Sequence, residues 1–253
     1  MTSNKHIAMW FCPRSRSTVI ARAFGQLDEC VVYDEPFYGA YLAIKGQDNY
    51  LPQKPEELSK YSELDYKKVI NKITGKLPDG ASFSFQKHNT KHALPEFGRD
   101  WIKQLKNFFL IRNPQETIYS YWQANYCQGN LKIDKVGWLQ HFKLFEEVQQ
   151  LTGETPLVID SNELVKAPRK YLQFLCTKLG VNYSEKMLDW KPADNSLTWV
   201  QGSPYEHWYT NALNSTKFTY EEKKLDFPNE LMPLLDECMP YYQKIFQHRL
   251  VIN

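Results

Sequence analysis

Two arginines and three hydroxyl residues stand together near the start of the chain, in Pro13-Arg14-Ser15-Arg16-Ser17-Thr18. An apolar run at 6–12 precedes them and a helix-like run at 17–27 follows. Arginine presents a planar fork of donors to an oxyanion, and serine and threonine add hydroxyl groups. If the flanking runs are a strand and a helix, the first N–H groups of that helix lack intrahelical partners, and its dipole favours negative charge. The chemistry suited to this stretch is the binding of a phosphate-like anion. A surface turn with two solvated arginines has the same sequence. The glycines and lysine of a G-x-x-x-x-G-K-[ST] nucleotide loop are missing.

A second anion candidate lies in "FFLIRNPQETIYSYW" (108–122), where Arg112 ends an apolar run. Asn113 suits an N-cap and Pro114 a first helical position, which puts Ser120 roughly two turns along the helix. Acid–base candidates cluster in "FSFQKHNTKHAL" (83–94) and "YDEPF" (33–37). Lys87 suits a transferring anionic group. His88, His92 and Glu35 are alternative proton acceptors, histidine because its ordinary pKa lies near neutrality. Each has a bland alternative: a hydrogen-bonded histidine, or a solvated acid before Pro36. "VVYD" also mimics the apolar run ending in a Mg²⁺-binding Asp of phosphate-transferring enzymes, which would make Asp34 a metal ligand.

These residues need a scaffold that brings them to one edge. Short apolar runs at 6–12, 30–35, 83–87, 107–112 and 156–161 read as strands. Helical patterns at 17–27, 63–74, after Asn113, at 134–151 and at 162–180 alternate with them. The stretch 36–60 reads as an aromatic loop and then a Pro-rich charged stretch. Strand–helix alternation implies an α/β fold whose sheet is mostly parallel, has about five strands and is covered on both faces. Ligands of such sheets bind at the carboxyl ends of the strands, where the candidates fall. No linker or repeat divides the chain, so 1–253 reads as a single domain. Its core spans about 5–181, and a Trp- and Tyr-rich cap about 182–253 closes with a helix near 221–246. Trp199, Tyr205, Trp208 and Tyr209 of that cap suit either core packing or an acceptor pocket.

A net charge of +2 over 253 residues, with no basic stripe, excludes a nucleic-acid binder that acts by bulk charge. Five scattered cysteines without paired spacing fit a reducing compartment and no metal site. The first apolar run is too short for a signal peptide, and no run reaches a membrane span. The expectation is a cytoplasmic protein with no membrane partner.

In their order and spacing these motifs resemble the sulfotransferases that use 3′-phosphoadenosine-5′-phosphosulfate (PAPS). The loop Pro13 to Thr18 is similar to the family's P-[KR]-[ST]-x-[ST]-[ST] segment, and Arg112-Asn113-Pro114 with Ser120 to its R-N-P-x-x-x-x-x-S segment. "DSNELVKAPRKYLQFLCTKLGV" (160–181) is similar to its later helix, and "YDEPFYGAY" and "WVQGSPYEHWYTNALNSTKF" to segments of a bacterial-type branch. The resemblance implies a P-loop NTPase-like three-layer α/β/α fold. It implies a 5′-phosphosulfate held by Arg14, Ser15, Arg16, Ser17 and Thr18, and a 3′-phosphate held by Arg112 and Ser120. The reaction implied is metal-independent, in-line sulfuryl transfer to a hydroxyl or amine of a small soluble acceptor, with 3′,5′-ADP (PAP) as product. Arg14, Glu35, Lys87, His88 and His92 are then the catalytic candidates. Many cytosolic members have Lys at the place of Arg14 and Gly at that of Arg16, and the RKG segment that contacts their 3′-phosphate has no counterpart here. A Mg-ATP-dependent phosphotransferase and a non-catalytic PAP-binding protein are the alternative readings.

Overall fold

The computed structural model describes residues 5–46, 55–124, 131–192, 206–222 and 224–252. Five parallel strands form one sheet: β1 (Lys5–Phe11), β2 (Cys30–Asp34), β3 (Phe83–Asn89), β4 (Lys106–Ile111) and β5 (Leu157–Asp160). Their spatial order is β2-β3-β1-β4-β5. The central β1 is paired on both sides, with Met9 opposite Lys87 on β3 and Phe108 on β4. The order reverses around β1, and a crevice forms at the carboxyl edge of such a reversal.

The helices are α1 (Ser17–Phe24), α2 (Tyr38–Lys45), α3 (Pro55–Leu58), α4 (Tyr66–Thr74), α5 (Pro114–Gln123), α6 (Ile133–Val136), α7 (Trp138–Thr152), α8 (Ser161–Lys166), α9 (Pro168–Leu179), α10 (Glu206–Leu213) and α11 (Met232–Phe246). Two apolar cores follow from the two-residue period of the strands. Ile7, Met9 and Phe11 of β1 join Phe108 and Leu110 of β4 in one core, with α1 and α9. Ala8, Trp10, Phe109 and Ile111 join the opposite core, with α4, α7 and α11. Each central strand is thus apolar on both faces, as a covered parallel sheet requires.

Local chemistry sets the ends of the elements. Asn113 caps α5 by accepting from Gln115 N at 2.9 Å, with Pro114 at the first helical position. Gly180 ends α9 at φ 70°, a conformation glycine adopts without strain. The helix expected at 162–180 is instead two helices that meet at Ala167 (φ −136°, ψ 61°). Pro168 disfavours helical backbone at the residue before it. The closing helix begins at Met232 rather than near 221, because the chain is extended at Pro228 and turns through a short 3₁₀ segment, Asn229–Leu231. Part of the expected aromatic loop at 36–60 is helical, as α2.

Candidate active site

Residues at or just past the carboxyl ends of β1 to β4 line a cavity of about 670 Å³. Arg14, Arg16, Ser17, Thr18, Glu35, Lys87, His92, Arg112 and Ser120 are on its wall. Sequence reasoning brought all nine to one edge.

The anion loop has unusual backbone geometry. Among the described residues, three that are not glycine have positive φ: Arg14 (66°), Arg16 (64°) and Glu35 (44°). All three line the cavity. A left-handed conformation costs a residue with a side chain about 1–2 kcal/mol, and such strain clusters at functional sites. Arg16 is also the N-cap residue of α1 and makes no side-chain cap bond, so no cap from its side chain occupies the first N–H groups of α1. Left-handed residues at alternate positions curl a loop into a concave set of N–H donors suited to an anion.

The second anion segment meets the first. Arg14 Nε donates to Ser120 Oγ at 3.1 Å, and Arg112 Nη1 donates to the Arg14 carbonyl at 2.9 Å. Arg112 Nε also donates to Glu116 Oε2 at 2.8 Å, and Asn162 Nδ2 holds the same oxygen at 2.8 Å. Two guanidinium groups therefore share one end of the cavity with Arg16. Arg16 Nη1 is buried without a hydrogen-bond partner among the described residues, and its guanidinium is 5.6 Å from the Tyr220 ring. Burial lowers the Arg16 pKa, and the like charge of Arg112 lowers it further. A buried donor without a partner beside a second cation is costly unless an anion neutralises both. The residues present fit a ligand with more than one phosphate-like group.

The opposite end of the cavity contains the acid–base candidates. The three protons of the Lys87 ammonium match three acceptors: Asp34 Oδ1 at 2.7 Å, Glu35 Oε1 at 2.8 Å and the Tyr209 hydroxyl at 3.2 Å. Tyr209 in turn donates to Glu35 Oε1 at 3.2 Å. His92 Nδ1 is 3.6 Å from Glu35 Oε2, and its ring lies 5.1 Å from that of Tyr38 and 4.8 Å from that of Tyr41. Tyr66 fixes the His92 backbone by donating to its carbonyl at 2.8 Å. Burial pushes the Glu35 carboxyl up, but Lys87, His92 and Tyr209 together outweigh it and hold the group below its ordinary value. For Asp34 burial wins over the pull of Lys87, with Glu35 adding to it, and the pKa is raised to about 6. Burial disfavours the Lys87 cation, but the two carboxylates more than offset it and raise its pKa.

Three residues singled out in the sequence do not line the cavity. His88 is not on the cavity wall. It alternates with Lys87 along β3 and so faces the other core, where it stacks on Trp10 at 4.6 Å and lies 2.9 Å from Gln86 Oε1. Burial, with His92 adding to it, pushes its pKa down to about 3, so it is a neutral core group. Ser15 is buried behind the wall, and its hydroxyl has no hydrogen-bond partner among the described residues. Asp34 is fully buried against Lys87 and does not line the cavity, which does not suit a Mg²⁺ ligand. Trp199 and Tyr205 and the side chain of Trp208 lie outside the described residues. Tyr209 is on the wall, but as a partner of Lys87 and Glu35. That role has no sequence signature. The pairing of Glu116 with Arg112 has a partial one, a four-residue separation across the Asn113 cap of α5. No group of three or more metal-ligating side chains is placed to hold an ion among the described residues. No helix among them is long and apolar enough to cross a membrane.

Comparison with known proteins bears on the family and the fold. The chain is similar to two Arabidopsis thaliana proteins, branched-chain-amino-acid aminotransferase-like proteins 2 and 1. Identity is 31% over 245 residues and 29% over 251. The matches cover 96% and 98% of this chain but 41% and 43% of those proteins, so the chain spans about two fifths of their length. Two solved structures share the fold. One is the sulfotransferase domain from the curacin biosynthetic pathway (TM-score 0.59, 14% identity, 96% of this chain and 98% of that one). The other is a sulfotransferase from Alicyclobacillus acidocaldarius (TM-score 0.51, 12% identity, 96% of both chains). The profile of the sulfotransferase domain matches residues 5–249, nearly the whole length over which the strands, the anion loop and the cap were traced, and the chain belongs to the sulfotransferase-domain family.

Proposed function

We propose that this protein transfers a sulfuryl group from PAPS to a hydroxyl or amine of a small acceptor. One observation carries the reading. The two anion segments, from β1 and β4, touch each other at one end of a cavity whose other end holds Glu35 and His92. A 3′,5′-bisphosphate nucleotide has two anionic groups that need such a divided grip. In this reading Arg14, Ser17, Thr18 and the N–H groups of the loop hold the 5′ side. Arg112, Ser120 and Arg16 hold the 3′ side. PAPS supplies the sulfuryl group, bonded to a phosphate that serves as leaving group.

The residues of the chain then divide the remaining work. Arginine keeps its proton, so Arg14 stabilises charge on the leaving phosphate without giving up a proton. The acceptor proton goes to the Glu35–His92 pair. Glu35 is held ionised by Lys87 and Tyr209, and its second oxygen faces His92. An ionised carboxylate beside an imidazole orients it and favours its protonated form. With all three protons committed, Lys87 serves to organise Glu35 rather than to grip the transferring group.

Isothermal titration calorimetry with 3′,5′-ADP tests the donor assignment. Binding without Mg²⁺, tighter than that of ATP, is the expected result. Mg²⁺-dependent ATP binding that exceeds 3′,5′-ADP binding overturns it in favour of phosphoryl transfer. For the chemistry, ³⁵S-labelled PAPS with a panel of hydroxyl and amine acceptors should yield labelled product. Binding of the nucleotide with no labelled product leaves a carrier of PAP and removes the enzymatic reading.

A further inference from the structure

Arg22 is a charged side chain with no solvent exposure, on α1, the helix that starts at the anion loop. Its guanidinium donates to oxygens of the cap region. Nη1 donates to the carbonyls of Ala212, Leu213 (3.4 Å) and Ser215 (3.3 Å) and to Ser215 Oγ (3.4 Å). Nη2 donates to the Lys191 carbonyl at 2.6 Å. The guanidinium also lies 5.4 Å from the Trp190 ring. Ala212 and Leu213 end α10, where the helix dipole is negative, and the Ala212 carbonyl also accepts from Ser215 N at 3.2 Å and from Ser215 Oγ at 2.7 Å. The buried guanidinium is thus held partly by the carboxyl end of α10 and partly by the Ser215 and Lys191 oxygens beside it.

That helix carries Tyr209, one turn before the carbonyls that Arg22 holds, and residues so spaced share a helix face. The Tyr209 hydroxyl bridges Lys87 and Glu35. The linkage is continuous. The anion loop begins α1, Arg22 fastens α1 to the end of α10, and α10 delivers a hydroxyl to the acid–base end of the cavity.

We propose that Arg22 is a positioning residue that locks α10 onto α1 and thereby sets the Tyr209 hydroxyl on Glu35 and Lys87. Its link to catalysis rests on the reading of Glu35 given above, but the geometric claim does not. Among the described residues the titratable groups that act on Glu35 are Lys87, His92, Asp34 and Tyr209, with Tyr38 beside Tyr209 and His88 behind His92. Of these only Tyr209 reaches the site from the cap.

The test needs no acceptor. In the full chain labelled with ¹³C at Glu carboxyl carbons, Glu35→Gln identifies the Glu35 signal, which is then titrated. Tyr209→Phe removes one hydrogen bond to the carboxylate and should raise the Glu35 midpoint by about one pH unit. Arg22→Met should raise it by a similar amount. The double variant should show no more than either single change, because both act through one hydroxyl. Additive shifts, or an unmoved midpoint in folded Arg22→Met, overturn the proposal. If Arg22→Met does not fold, Arg22→Lys keeps the charge with fewer, unforked donors and should give a smaller rise of the same sign. A midpoint unmoved by Tyr209→Phe overturns the proposal without any Arg22 variant. Calorimetry with 3′,5′-ADP on the wild-type chain separates this outcome from failure of the donor assignment, since the titration is done without nucleotide.

Discussion

The two ends of the cavity solve opposite electrostatic problems. At the anion end, Arg14, Arg16 and Arg112 converge with Glu116 as the acid paired to Arg112, and a buried guanidinium nitrogen has no partner among the described residues. At the acid–base end, Lys87 is saturated by Asp34, Glu35 and Tyr209. One end is built to be completed by a ligand. At the other the Lys87 cation is satisfied within the chain and holds the charge of Glu35, while Asp34 Oδ2 is buried without a hydrogen-bond partner among the described residues. Binding and chemistry should therefore respond differently to substitution, and the difference can be broken from either side.

The largest effect is expected at the acid–base end. Glu35→Gln removes the carboxylate and should lower turnover with labelled PAPS by roughly 10²–10⁴-fold, the usual range for a proton-transfer group. Affinity for 3′,5′-ADP should stay within a few-fold. A comparable loss of nucleotide affinity would show that the two ends are not separate. The converse change is Arg112→Ala. Loss of a charged hydrogen bond typically costs about 1.5–3 kcal/mol, so 3′,5′-ADP should bind roughly 10- to 100-fold more weakly. Turnover at saturating donor should fall far less. Unchanged affinity would remove Arg112 from the grip.

The next test separates His88 from His92. His88 and His141 are both fully buried, and burial pushes each pKa down to about 3. In the unfolded chain both titrate near 6.5, so between about pH 3 and 6.5 the unfolded state binds more protons. Stability is then fully present above about 6.5 and is lost as pH falls, by about 1.4 kcal/mol per pH unit for each histidine. Asp34, raised to about 6, acts with the opposite sign over roughly pH 4–6. Comparison with a His88→Gln variant isolates the His88 contribution. Urea unfolding at pH 7 and 5.5 should show that variant losing about 1.4 kcal/mol less than the wild type. Equal losses would mean that His88 is not a buried neutral group. His92→Asn, in contrast, should lower turnover with labelled PAPS, whereas His88→Gln should leave it within a few-fold of the wild type.

The contrast between the ends also explains what the sequence could reveal. Every strand was legible because a covered parallel strand is a short apolar run, as in the 107–112 segment. The anion end was legible because each half is contiguous: Arg14 to Thr18 in one loop, Arg112 to Ser120 on one corner. Ser15 illustrates the limit of that, since a six-residue motif does not say which hydroxyl lines the cavity. The acid–base end joins β2, β3, the turn after β3 and α10, and no local pattern encodes that meeting. His88 was a natural candidate beside Lys87, but the two-residue period of a strand sends neighbours to opposite faces. That period was available in the sequence; the side facing the cavity was not. The role of Tyr209 and its hold through Arg22 depend on a helix separated from β3 by more than a hundred residues, beyond any spacing rule.

The smallest expected effect goes to the heart of the contrast. If the anion end is strained and under-neutralised by design, relieving it should stabilise the ligand-free chain. Glycine adopts φ 64° without the side-chain penalty, so Arg16→Gly recovers about 1–2 kcal/mol of backbone strain. The added freedom of the unfolded chain takes back about 0.4–1 kcal/mol. The buried donor and its repulsion from Arg112 are also removed, while the contact with the Tyr220 ring is lost. A net gain of about 0.5–1 kcal/mol corresponds to a rise of roughly 1–3 °C in Tm for a chain of this size. With saturating 3′,5′-ADP the order should reverse, because the wild type binds more tightly and gains more from mass action. Crossing melting curves would show that Arg16 holds strain for the sake of the ligand. A variant less stable both with and without nucleotide would mean that the left-handed arginine is part of the folded core rather than a poised ligand.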